Sequence, residues 1–178
     1  MKLINDNLKK TGIFNSILIV IAIVLKVINF SSFPIYIKID SVVCLFALVF
    51  GLFYSLNSYQ KDAAKYYKAF MCLYFISSLL SFIASISGGD TNLLIIIANV
   101  AILISVFVLA FVKDLGEKKS NGFALTIFAL NIIKMLIVVV TKTVLLAIKV
   151  HFSNLILACI ICMFVSAKYK DKEIRGTK

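Results

Sequence analysis

Residues 92–112 read NLLIIIANVAILISVFVLAFV, a run without a single charged side chain. A bilayer core of about 30 Å needs ~20 apolar residues as helix at ~1.5 Å each. This run is long enough to cross one. Five more apolar stretches flank it, at 13–30, 42–59, 70–86, 123–140 and 143–166. Lipid cannot satisfy an open backbone, so spans of this kind are helices, and one proline in the whole chain leaves little to break them. The expected fold is all-α and integral to a membrane: six transmembrane helices in one compact bundle.

Composition agrees. Hydrophobic residues make up 62% of the chain and charged residues 15%, against about 45–50% and roughly 25% in soluble domains; the mean hydropathy is +1.05. The six spans and their short loops take up nearly all 178 residues. No space is left for a soluble catalytic domain, and no enzymatic activity is expected.

A net charge of +11 could suggest nucleic acid, but that reading needs the charge on a soluble face. Here the charge follows the spans. Lys2, Lys9 and Lys10 precede the first, Lys61, Lys65 and Lys68 follow the second, and Lys113, Lys118 and Lys119 follow the fourth. With Lys168, Lys170, Lys172, Arg175 and Lys178 in the tail, alternate segments hold 14 of the 19 basic residues. The positive-inside rule therefore places both termini in the cytoplasm. The first span reads as an uncleaved signal anchor, since it holds Lys26 and lacks a small-residue cleavage pattern.

Tyrosines near the span ends, Tyr36, Tyr54, Tyr59, Tyr66, Tyr67 and Tyr169, suit an interfacial aromatic belt in a chain without tryptophan. Ser87-Gly88-Gly89-Asp90-Thr91 reads as a tight external turn. Residues 141–152 admit two readings, an interfacial segment or the outer end of a long sixth span. No inverted repeat or Gly/Pro-broken helix marks a transporter midplane.

Lys134, in Asn131-Ile-Ile-Lys134, is the sharpest anomaly. A lysine this far inside a span costs about 2.5–3.5 kcal/mol on insertion scales and usually faces a bundle interior or a water-filled cavity. Asn131 shares its helical face. The pair could bind an anionic or carbonyl-bearing ligand from outside, with Lys26 as a third candidate. The commoner arrangement is that both lysines snorkel to the outer headgroups, or that Lys134 pairs with Asp90. No acidic residue falls inside a predicted span, and Asp40 and Asp90 are the external carboxylates, so a basic outer mouth is expected if the lysines Lys26, Lys38, Lys134, Lys142 and Lys149 converge.

Ser77, Ser81 and Ser85 recur every four residues, a spacing that suits a helix-packing seam. Gly51 reads as a close-contact point. Cys159 and Cys162 have a redox-like spacing, but a reactive pair needs an accessible, thiolate-stabilising site. His151 and Cys159 lie about 12 Å apart by helical rise, too far for a dyad. One histidine excludes a multi-histidine metal or haem site, and no P-loop, zinc-protease motif or paired carboxylates occur. No cofactor and no metal are expected.

The layout is similar, in shape alone, to the substrate-binding subunits of energy-coupling-factor transporters; the alanine-rich first-span motif of that family is missing. The chain is expected to be a small transporter or membrane-embedded substrate-binding subunit for an anionic or polar small molecule or lipid. The alternative is a non-catalytic membrane partner, such as a self-immunity protein or an accessory subunit, acting through another membrane protein or as a homo-oligomer. A bacterial-type cytoplasmic membrane is the expected location, with a eukaryotic endomembrane as the alternative.

Overall fold

The computed structural model describes residues 2–30, 35–57, 63–87, 92–112, 115–141 and 144–176. They form six α-helices: α1 (Lys2–Asn29), α2 (Ile35–Asn57), α3 (Ala63–Ser87), α4 (Leu93–Phe111), α5 (Glu117–Thr141) and α6 (Val144–Gly176). Each is long and apolar enough to cross a membrane. The turn at 88–91, Tyr59, Asp62, Asp90, Asp114, Lys113 and Lys142, and the side chains of Tyr36 and Lys149, lie outside the described residues.

Consecutive helices pack on one another, and α6 closes against α1, giving an antiparallel ring of six. One end of the bundle, here called distal, is where α1, α3 and α5 finish and α2, α4 and α6 begin. The other end carries the helix starts and finishes nearest the chain termini.

Helix limits depart from the predicted spans where charge interrupts hydropathy. Helix α2 begins seven residues before Val42, because Lys38 and Asp40 lower the local hydropathy without breaking the helix. Residues 144–152 are the start of α6 rather than a separate interfacial helix. At 33 residues, α6 is about 50 Å long by helical rise and outreaches a bilayer core.

Local capping is visible at α4. Asn92 has extended backbone, and its Oδ1 accepts from Leu94 N–H at 3.1 Å. This satisfies one of the donors that a helix start leaves open. Gly116 enters α5 with φ +75°, a conformation that favours glycine. Along the spans, Ser16, Ser105, Thr126 and Thr141 donate to the carbonyls four residues back, so their hydroxyls are satisfied without water.

Helix α4 shows how the faces divide. Leu93, Leu94, Ile97, Val100, Ile104, Phe107 and Phe111 are exposed, at helical spacing on one side. Asn99 and Ser105 are buried with Ile95, Ala98, Ile102, Val106 and Leu109 on the other. Large apolar side chains face out and polar ones face in. Soluble monomers rarely expose apolar patches beyond a few hundred Å², whereas lipid tolerates them, so the pattern is compatible with a multi-pass membrane protein.

The half away from the distal end is packed with aromatic and aliphatic side chains. Phe164 of α6 meets Tyr54 of α2 edge-on at 4.7 Å and Phe70 of α3 at 5.2 Å. Gly51 makes this closeness possible: a Cβ there would lie 3.1 Å from Phe70 Cδ2 and 3.4 Å from Phe164 Cε2. Toward that end, Ser120 of α5 and Tyr169 of α6 share a 2.7 Å hydrogen bond. The Lys168 ammonium lies over the rings of Tyr67 and Tyr169, at 4.9 and 5.7 Å.

Candidate functional site: a polar pocket in the distal half

The distal half is built differently, with a buried polar group from every helix. Lys26 comes from α1, Asp40 and Ser41 from α2, Ser77 and Ser78 from α3, Asn99 from α4, Asn131 and Lys134 from α5, and His151 and Ser153 from α6. Each sits within a few turns of its helix's distal end. Chain direction alternates, so residues far apart in sequence arrive at one level.

Lys134 is 4% exposed, and its Nζ donates to Asn99 Oδ1 at 2.5 Å. Asn99 Nδ2 in turn donates to Ser85 Oγ at 2.7 Å, and Ser85 donates to the Ser81 and Phe82 carbonyls, each at 3.0 Å. The chain of bonds ties α5 to α4 and α4 to α3. A second tie joins α3 to α2, with the Ser77 hydroxyl donating to Asp40 Oδ1. Asn131 is 3% exposed and uses one amide N–H on the Ile127 carbonyl at 2.9 Å.

Between these groups lies a cavity of about 30 Å³, space for roughly two waters. Asp40, Tyr74, Ser77, Ser78, Ser81, Asn99, Asn131, Lys134 and Asn154 line it, with Ile102 as the one apolar neighbour. Five of the six helices contribute. A lining this polar within a bundle this apolar is a place where water or a polar ligand group is stabilised.

Two expectations are corrected here. Asp40 is not an external loop carboxylate: it stands in α2, 8% exposed, and lines the same pocket as Lys134. The pocket therefore carries both charge signs and is not a purely basic mouth. The hydropathy drop before Val42 had put Asp40 outside the span, whereas the Ser77 hydroxyl and the pocket lower the cost of keeping it inside. Lys26 is 6% exposed and enclosed by the bundle rather than reaching outward; Cys44 lies within electrostatic reach of both Lys26 and Asp40. Lys26 does not line the cavity. Lys38 is half-buried, its ammonium 5.8 Å from the centre of the Phe30 ring.

The three serines of α3 divide their contacts. Ser77 bonds Asp40, Ser81 borders the cavity, and Ser85 receives Asn99. Small hydroxyls thus serve close helix approach and polar lining together. Cys159 and Cys162 carry free thiols and, like His151, stand outside the wall of this cavity.

Sequence reasoning singled out Lys134 and Asn131 but passed over Asn99, Asn154, Tyr74 and Asp40. Asn99 had a signal, since it is the one amide within α4, the most apolar of the helices. Its significance comes from Lys134, 35 positions along the chain, and a single sequence does not pair them. No family model matches this chain, and no similar curated protein or solved structure was found.

Proposed function

We propose that this chain is a multi-pass protein of a bacterial-type cytoplasmic membrane that binds a small polar solute, or the polar head of a lipid, in the distal pocket. It acts as a transporter or as the substrate-binding subunit of one, without a catalytic step of its own, and its termini face the cytoplasm. The observation that carries this reading is the cavity lined by Lys134, Asp40 and three asparagines. Ionisable residues within a membrane span are expensive and tend to mark solute paths. A role in packing alone would be served at lower cost by apolar residues.

Lysine placement supports the orientation. Lys10, Lys65, Lys68, Lys118 and Lys119 are exposed toward the end opposite the pocket, the side the positive-inside rule assigns to the cytoplasm. The pocket then opens from the outer half.

The test is ligand-dependent thermal stabilisation in nanodiscs, using a panel of anionic metabolites, vitamins, peptides and lipids, with the Asn131→Leu/Lys134→Leu protein alongside. A ligand at about 100 times its dissociation constant adds about 2.7 kcal/mol to reversible unfolding. Stabilisation that disappears in the double variant is the expected result. Equal stabilisation of both proteins would remove the pocket from the ligand's path, and no stabilisation by any panel member would leave a non-catalytic membrane partner as the better reading.

A further inference from the structure

We infer that the outer face of α4, at the end of the bundle away from the pocket, holds a phospholipid whose headgroup is net negative. The inference rests on the membrane reading above and not on the solute that the pocket takes. Helix α4 is the shortest of the six at 19 residues, about 28 Å by helical rise. That is close to the ~30 Å hydrocarbon core of a bilayer, and α4 carries no charged side chain. On either side of it pack α3 and α5, which have 25 residues each and begin with lysines at the end where α4 finishes.

Lys65 and Lys68 of α3 and Lys118 and Lys119 of α5 are all exposed there. Lys65 lies over the Tyr66 ring at 5.3 Å. Among the described residues of these two helix starts the one acid is Glu117, so positive charge is in excess. The apolar part of the site lies directly below. Phe75 of α3 meets Phe107 and Phe111 of α4 at 5.7 and 5.5 Å, and those two rings are 5.1 Å apart. Phe107 and Phe111 are about half exposed, so the cluster opens outward.

The sequence spacing aligns the two parts. Lys68 precedes Phe75 by seven residues, two turns along one face of α3, which sets it about 10 Å nearer the bundle end. An acyl chain lying along the exposed Ile97, Ile104 and Phe107 of α4 therefore leads to a headgroup level flanked by lysines of both neighbouring helices. The apolar face alone would accept any lipid. Charge makes the choice, since each lysine near an anionic lipid surface raises occupancy about fivefold, and a headgroup without net charge gains nothing comparable.

The experiment uses the full chain in vesicles of equal parts phosphatidylglycerol and phosphatidylcholine, with bromine on the acyl chains of one lipid or the other. Bromine quenches tryptophan fluorescence on contact, and the chain has no tryptophan of its own. Ile104→Trp reports from the outer face of α4, and Ile17→Trp, exposed on α1 and seven residues from the exposed Lys10, serves as the comparison. Comparing the two lipids at one position removes the effect of depth. The ratio of phosphatidylglycerol to phosphatidylcholine is expected to be at least about fivefold higher at Ile104→Trp than at Ile17→Trp. The added substitutions Lys68→Gln, Lys118→Gln and Lys119→Gln should bring it down to the Ile17→Trp value. Should that variant fail to fold, salt decides: the excess should vanish between about 0.01 M and about 1 M, as the screening length falls from about 30 Å to about 3 Å. Equal ratios at the two positions would overturn the assignment, because a lysine at the rim would then suffice. An excess that survives loss of the lysines, or high salt, would overturn it as well. Quenching at Ile17→Trp but by neither lipid at Ile104→Trp would show that another protein surface covers α4. Absence of quenching at both positions would contradict the membrane reading itself along with this one.

Discussion

Replacing Asn99 by Ala should cost more stability than removing the charge that Asn99 holds. In Asn99→Ala the Lys134 ammonium loses an acceptor at 2.5 Å and Ser85 loses a donor at 2.7 Å. A bond to a charged group contributes about 1.5–3 kcal/mol, and water in the adjoining cavity can replace part of it, so the low end applies. Side-chain bonds between membrane helices average about 0.6 kcal/mol, a fair value for the Ser85 contact. Together these give about 2 kcal/mol. In the double variant Asn99→Leu/Lys134→Met, neither the buried ammonium nor an orphaned amide remains at this contact. Replacing buried charged groups with well-packed apolar ones is often neutral or stabilising, so the change should stay within about 1 kcal/mol of zero. Reversible unfolding in mixed micelles, read by circular dichroism, measures both. An Asn99→Ala cost below about 0.5 kcal/mol, or a double variant less stable than Asn99→Ala, would refute the enclosed ammonium–amide contact on which these figures rest.

Three further outcomes follow from the packed half of the bundle. Gly51→Ala places a methyl 3.1 Å from the Phe70 ring, an overpacking expected to cost about 1–3 kcal/mol in the same unfolding assay; a neutral effect would show that the α2–α3–α6 contact yields easily. Phe164→Ala empties a fully buried site between Tyr54 and Phe70 and should cost about 3–5 kcal/mol, visible as loss of folded yield in detergent. Tyr169→Phe removes the hydroxyl bonded to Ser120 but keeps the ring beneath Lys168, so a loss of only about 1 kcal/mol is expected, while Tyr169→Ala should cost clearly more.

The architecture was legible because membrane physics writes itself into length and charge. An uncharged run such as 92–112 has few other uses, and lysines gathered in alternate segments separate six apolar runs, the number of helices found. Helix ends were less legible. Hydropathy follows what lipid accepts, whereas the helix continues wherever the backbone can pair, which is why α2 starts at Ile35 and takes in Asp40. In the pocket, Lys134 and Asn131 stood out as a charge and an amide in an apolar run. Asp40 did not, because it sits beside a span edge where exposed carboxylates are ordinary. Nor did the Lys134–Asn99 contact, which depends on two helices facing each other at one level. Lys26 shows the same limit: nothing near it in sequence distinguishes a lysine that snorkels from one the bundle encloses.

The central claim is that a membrane-embedded bundle keeps a hydrated polar pocket within its distal half. Cysteine accessibility tests it most directly. In a background with Cys44, Cys72, Cys159 and Cys162 replaced by Ala, single cysteines are placed at Ser81, on the pocket wall, and at Ile83, an exposed apolar site on the same helix. Sealed vesicles are then treated with silver ion, a thiol-reactive probe of about the size of water, and remaining thiols are counted. The account predicts rapid loss of the Ser81→Cys thiol from the distal side and protection of Ile83→Cys by lipid. Equal protection of both would contradict a hydrated pocket, and equal rapid reaction would contradict a lipid-facing surface at Ile83.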